Sequence, residues 1–123
     1  MASSTVALND HVPVSNTFTL KGQTGTTADY IDTDTSLATP LGFVVKHNTA
    51  PVGSKANDRH QVVFSQVLTD TVTGLPVIGS LKLDISIPRS ATWTDTHSRA
   101  LNAYLVNYMT DARFQSILDG ITP

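Results

Sequence analysis

Apolar and polar positions alternate most cleanly over residues 81–88, LKLDISIP. Leu81, Leu83, Ile85 and Ile87 take one face, while Ser80, Lys82, Asp84 and Ser86 take the other, as the two-residue period of a pleated strand requires. Such alternation marks a sheet that is dry on one side and polar on the other. Pro88 has no amide to donate, so pairing is expected to stop there. The period then changes. In DTHSRALNAYLVNYM, Leu101, Tyr104, Leu105 and Tyr108 recur at helical spacing, with Thr94 as N-cap and Asp95 in the first turn. Thr110 or Asp111 caps a second, shorter helix through Phe114, Ile117 and Leu118, and Gly120 is its natural stop.

Upstream, the same reading gives short strands at 4–8 and 17–20, joined by turn chemistry at Asn9, Asp10, Pro13 and Asn16. Residues 23–26 read as a break, 27–31 (TADYI) as a third strand and 32–40 as an aperiodic loop. A fourth strand is expected over 41–47, with Phe43 and Val45 on one face and Val44 and Lys46 on the other. After a polar loop, 59–68 forms a fifth strand; Val62, Phe64 and Leu68 are its apolar set, leaving Arg59, Gln61, Val63 and Ser65 opposite. A hairpin loop over 69–76 leads to the sixth strand at 77–87. Six strands followed by two helices make an α+β chain with an antiparallel β-sheet and segregated elements, expected as one domain over 1–123.

Geometry adds a constraint. Six strands about 4.8 Å apart span roughly 29 Å, whereas two helices about 10 Å wide cover roughly two thirds of that. A lone subunit would leave apolar sheet surface wet, which marks an interaction surface, and dimerisation is the simplest remedy.

Composition shifts the picture toward β structure. All acidic residues are Asp, and Thr and Ser together number 29, types that favour turns, caps and strands over helix interiors. With no cysteine there is no disulfide, thiolate metal site or cysteine nucleophile. The first ten residues show neither a basic region nor an apolar run, so no signal peptide is expected, and no stretch has the length of a membrane span. A net charge of −2 does not by itself suggest a nucleic-acid binder, so any such role must rest on a local face.

Little catalytic chemistry is visible. Asp29, Asp32 and Asp34 lie close together, but the EF-hand offsets fail and a solvated loop is the plainer reading. His11, His47, His60 and His97 show no metal-ligand spacing, although two of them flank the 48–58 loop. No nucleophile elbow, Walker loop or dinucleotide fingerprint occurs, so neither enzyme activity nor a cofactor, metal or small-molecule substrate is expected. The polar sheet face holds more. Lys46, Arg59 and Lys82 on adjacent strands would make a local positive patch able to hold phosphates, with Gln61 and Ser80 near bases or sugars. From pattern alone a solvated face with scattered charges is the plainer reading, and a dimeric α+β binding module taking a small ligand there is a further alternative.

The order of elements, with ADYI at 28–31, the loop TDTVTGLP at 69–76 and LDISIPRSAT at 83–92, resembles the coat proteins of single-stranded RNA bacteriophages. The resemblance runs along nearly the whole chain. It implies an N-terminal hairpin, a five-stranded sheet and two C-terminal helices, which is seven strands rather than six. It also implies interlocked homodimers whose helices cross onto the partner's sheet, giving a ten-stranded sheet that assembles into an icosahedral capsid. The virion would form in the host bacterial cytoplasm around single-stranded genomic RNA, and an RNA hairpin operator would repress replicase translation. Carried over by position, the RNA face comprises Thr27, Val44, Lys46, Arg59, Gln61, Ser80 and Lys82, and the dimer interface Leu101, Tyr104, Leu105 and Tyr108. Thr71, Thr73, Gly74 and Pro76 would form the loop at the symmetry axes. Several family members carry a base-stacking aromatic where Ser80 stands, a contact that contributes about 1–3 kcal/mol.

Overall fold

The computed structural model describes residues 4–35, 38–49, 51, 53 and 55–120. Two compact units emerge, residues 1–86 and 87–123. The first is built on an antiparallel sheet in strand order β1-β2-β3-β4-β5-β6, with β1 Thr5–Asn9, β2 Ser15–Thr24, β3 Thr27–Asp32, β4 Leu41–Asn48, β5 Asp58–Thr69 and β6 Pro76–Ile87. Sequence order equals spatial order, so every connection is a hairpin or a short loop between neighbours.

The turns follow from local chemistry. Asp10 closes the β1–β2 connection by accepting from the Val14 and Val12 amides at 2.7 and 3.0 Å, and these bonds, Val14 foremost, hold its carboxyl below its ordinary value. Gly25 takes the positive φ of 57° that suits the first position of a two-residue hairpin loop between β2 and β3. The break expected over 23–26 is therefore shorter than its polar composition suggested: β2 continues to Thr24, with a register shift between Leu20 and Gly22. Asp32 is buried and accepts from the Asp34 amide at 3.0 Å, so the Asp29/Asp32/Asp34 cluster includes a turn after β3.

The core lies on one face of this sheet. Phe18, Ala28, Tyr30 and Phe43 are buried, with Val6, Leu8, Leu20, Leu41, Val45 and Phe64 packed around them. Phe43 is its centre, stacked on Tyr30 at 4.6 Å and on Phe64 at 4.8 Å, with Phe18 edge-on at 5.3 Å. Such pairs add about 0.5–1.5 kcal/mol each beyond the area they bury. Leu68, expected in the same apolar set as Phe64, is exposed. The expected seventh strand does not appear among the described residues, because β5 and β6 each run unbroken for 12 residues.

The second unit holds α1, Asp95–Tyr108, and α2, Asp111–Leu118. Thr94 caps α1 reciprocally with His97, whose Nδ1 accepts from the Thr94 amide at 3.1 Å in the role usually played by Glu or Gln. Thr110 caps α2 by accepting from the Arg113 amide, and Gly120 follows at φ 74°. Arg113 reaches back to the Asn107 and Tyr108 carbonyls and lies 4.8 Å over the Tyr108 ring, so α2 supplies the cation that the last turn of α1 lacks.

Candidate nucleic-acid interface

Register places the candidate residues. Thr27 pairs with Lys46, and Lys46 with Gln61, so these three form one row across β3, β4 and β5. One step along, Asp29, Val44 and Val63 form the next row, and Arg59 pairs with Asn48 on the other side. Phe43, Val45 and Phe64 alternate onto the opposite, apolar face. On β6, Asp84 accepts from the Gln61 side-chain amide at 2.7 Å and Ser86 from Asn57 at 2.9 Å. Ser80 and Lys82 share the parity of Asp84 and Ser86 and so lie on the same face. The seven residues singled out by position thus occupy one face of one sheet. Lys46, Arg59, Ser80 and Lys82 are exposed, and Thr27, Val44 and Gln61 half-buried.

The charge of this face is more mixed than a patch of three cations. Asp29 lies in the Val44 row, and Asp84 stands between Gln61 and Lys82, its Oδ2 3.9 Å from the Lys82 ammonium. An exposed pair at that separation contributes about 0–1 kcal/mol, so Lys82 is readily available to a competing anion. Asp29 was legible in the sequence once Thr27 had been assigned to the face, because residues two apart in a strand share a side.

The loop between β5 and β6 is organised by a residue that sequence reading passed over. Asp70 accepts from the Val72 amide and the Thr73 hydroxyl, both at 2.9 Å, and its backbone brackets the tip through Leu75 and Gly74. The Val72 amide, then the Thr73 hydroxyl, hold the Asp70 carboxyl below its ordinary value. Thr71, Thr73 and Gly74 therefore sit on a closed turn, with Gly74 at φ 71° and Pro76 opening β6. Val72 at the tip is 90% exposed.

Apolar surface is open elsewhere as well. Leu81, Leu83 and Ile85 on β6 are exposed, as are Leu101, Tyr104, Leu105 and Tyr108 on α1. An open groove of about 400 Å³ runs past Phe64, Leu68, Val77, Ile78 and Leu81. Neither helix contains a buried residue.

No family model matches the chain, and no curated protein matches it. Solved structures share its fold. The chain aligns with that of a virus-like particle of bacteriophage AVE019 at a TM-score of 0.81 and 15% identity, covering 100% of this chain and 99% of that one. A virus-like particle of Beihai levi-like virus 21 aligns at 0.74 and 12% identity, covering 100% and 98%. A virus-like particle of Wenzhou levi-like virus 1 aligns at 0.57 and 19% identity, covering 99% and 100%. The six-stranded antiparallel sheet followed by two helices thus belongs to a fold that this chain shares, over its full length, with chains of phage and levi-like virus particles.

Proposed function

We propose that this chain is the coat protein of an RNA bacteriophage, a structural protein without catalytic activity that assembles into a closed shell around RNA. The observation that carries this reading is the match to the AVE019 particle chain, end to end on both sides. The exposed apolar residues of β6 and α1 support it, because surface of that kind on a soluble chain calls for a partner.

The protomer in this reading is the whole chain, both units acting as one coat protein domain. Two copies join through Leu101, Tyr104, Leu105 and Tyr108, each laying its helices on the other's sheet. The exposed 12-residue edge of β6 is the natural place for the two sheets to meet, since an unpaired edge of that length invites pairing. With six strands per chain, such a dimer runs twelve strands rather than the ten expected from five-stranded subunits. The β5–β6 loops meet at the symmetry axes of an icosahedral shell. The polar face turns inward, where Lys46, Arg59 and Lys82 hold RNA phosphates, Gln61 and Ser80 contact bases or sugars, and Thr27 and Val44 complete the surface. A genomic hairpin bound there would both mark the RNA for packaging and repress translation of the replicase, within the host cytoplasm, before the virion is released.

Density-gradient sedimentation of the expressed chain tests this. Fast-sedimenting protein that carries nuclease-protected RNA is the expected result. Slowly sedimenting protein free of RNA under assembly conditions contradicts it.

A further inference from the structure

His47 and His60 are direct cross-strand partners at the open end of β4 and β5, where the connecting loop begins and ends. Their Nδ1 atoms stand 2.8 Å apart, with ring centroids 5.0 Å apart and planes inclined by 71°. The two imidazoles continue the row of Val45 and Val62, whereas Lys46 and Arg59 alternate to the opposite face. His47 is exposed and His60 half-buried, so the pair is open to solvent on one side.

We propose that this pair is a binding site for a divalent cation of tetragonal preference, copper(II) or nickel(II), bridging β4 and β5. The separation is that of a hydrogen bond between the rings, and it also brings both nitrogens within reach of one ion. At a metal–nitrogen distance of about 2.0–2.1 Å, nitrogens 2.8 Å apart subtend roughly 84–89° at the metal. That is the cis angle of a square-planar or octahedral centre, whereas a tetrahedral zinc site would need about 3.3–3.4 Å between them. In the tautomer that makes this contact a hydrogen bond, one ring donates its Nδ1 proton to the other. Chelation moves that proton to Nε2, so both Nδ1 lone pairs face the ion and no proton is lost overall. Among the described residues no third His, Cys, Asp or Glu joins the group, so water completes the coordination sphere. An ion held here would clip the base of the 48–58 loop and favour the folded strands by mass action.

The test is titration of the purified full-length protein with copper(II) near neutral pH, read by calorimetry and electron paramagnetic resonance. The His47→Asn, His60→Asn and, as control, His11→Asn variants are titrated alongside it. The expected result is a copper signal with two in-plane imidazole nitrogens in the unmutated protein and in His11→Asn, lost in each of the other two. The same copper stoichiometry and nitrogen pattern in all variants overturns the assignment. Should a variant prove insoluble, the spectrum of the unmutated protein decides alone: two histidine nitrogens in the plane support the site, and one or none overturns it.

Discussion

The Gln61 side-chain amide donates to the Asp84 carboxylate across 2.7 Å, tying β5 to β6 in the middle of the polar face. The same carboxylate stands 3.9 Å from the Lys82 ammonium. In the proposed reading Asp84 thus holds Gln61, leaves Lys82 only weakly paired, and puts a negative charge beside the phosphate position. Asp84→Asn keeps an acceptor for Gln61 and removes the charge. It should tighten RNA binding at low salt, by about 1 kcal/mol or less on the scale of exposed ion pairs. Filter binding of the two proteins on one RNA checks this, and equal affinities would show that Asp84 does not compete with phosphate.

Lys82→Ala has the opposite sense. Lys82 lies mid-strand on the polar side, with Leu81 and Leu83 on the other, so its loss leaves packing untouched. Removing one phosphate contact should weaken binding and lower the salt slope by roughly one unit. Stability should stay within about ±0.5 kcal/mol. Titrations at several salt concentrations, beside a melting curve, read both effects; an unchanged slope would place Lys82 away from the RNA.

Gly42 is required by backbone proximity rather than by its own φ. A Cβ at that position would collide with the Tyr30 carbonyl oxygen of the paired strand. Gly42→Ala should destabilise the fold by about 1–3 kcal/mol, since the β3–β4 pair must move apart to admit the methyl group. Chemical denaturation measures the loss. Full stability in the variant would mean that the two strands yield at no cost.

Acid should loosen the β5–β6 loop. The Asp70 carboxyl is held below its unfolded value near 3.8 by the Val72 amide and the Thr73 hydroxyl. A depressed folded pKa stabilises above the unfolded value and is lost as pH falls through the folded one. The melting temperature of Asp70→Ala should therefore lie below that of the unmutated protein near neutral pH. The gap should close as pH drops below about 3.8. A gap independent of pH would assign the effect to something other than the charged carboxylate.

Alternation and caps made most of the fold legible. Strict period-two spacing marked β6 to within one residue, and Thr94 and Thr110 announced both helices. What stayed hidden depends on register and turn closure. Gly22 to Thr24 carry no apolar pattern, and they join β2 because their backbone pairs with Thr27–Asp29 around Gly25, with Lys21 at the register shift. Phase along each strand brought Lys46, Gln61 and Lys82 to one face in the sequence reading, and the place of His47 and His60 on either side of the 48–58 loop allowed them to meet, but Gln61–Asp84 is a cross-strand pair that no linear spacing announces. Asp70 looked like one turn residue among many until its two acceptor bonds were seen.

Electron microscopy of the expressed full-length chain tests the central claim most directly, with Leu105→Asp prepared in parallel. That variant places an unpaired charge on the proposed dimer surface and should be unable to assemble. The coat-protein account predicts closed shells of uniform size from the unmutated chain and none from the variant. A soluble, folded monomer or an isolated dimer that forms no shells under any assembly condition would contradict it, and would favour a binding module built on the same fold.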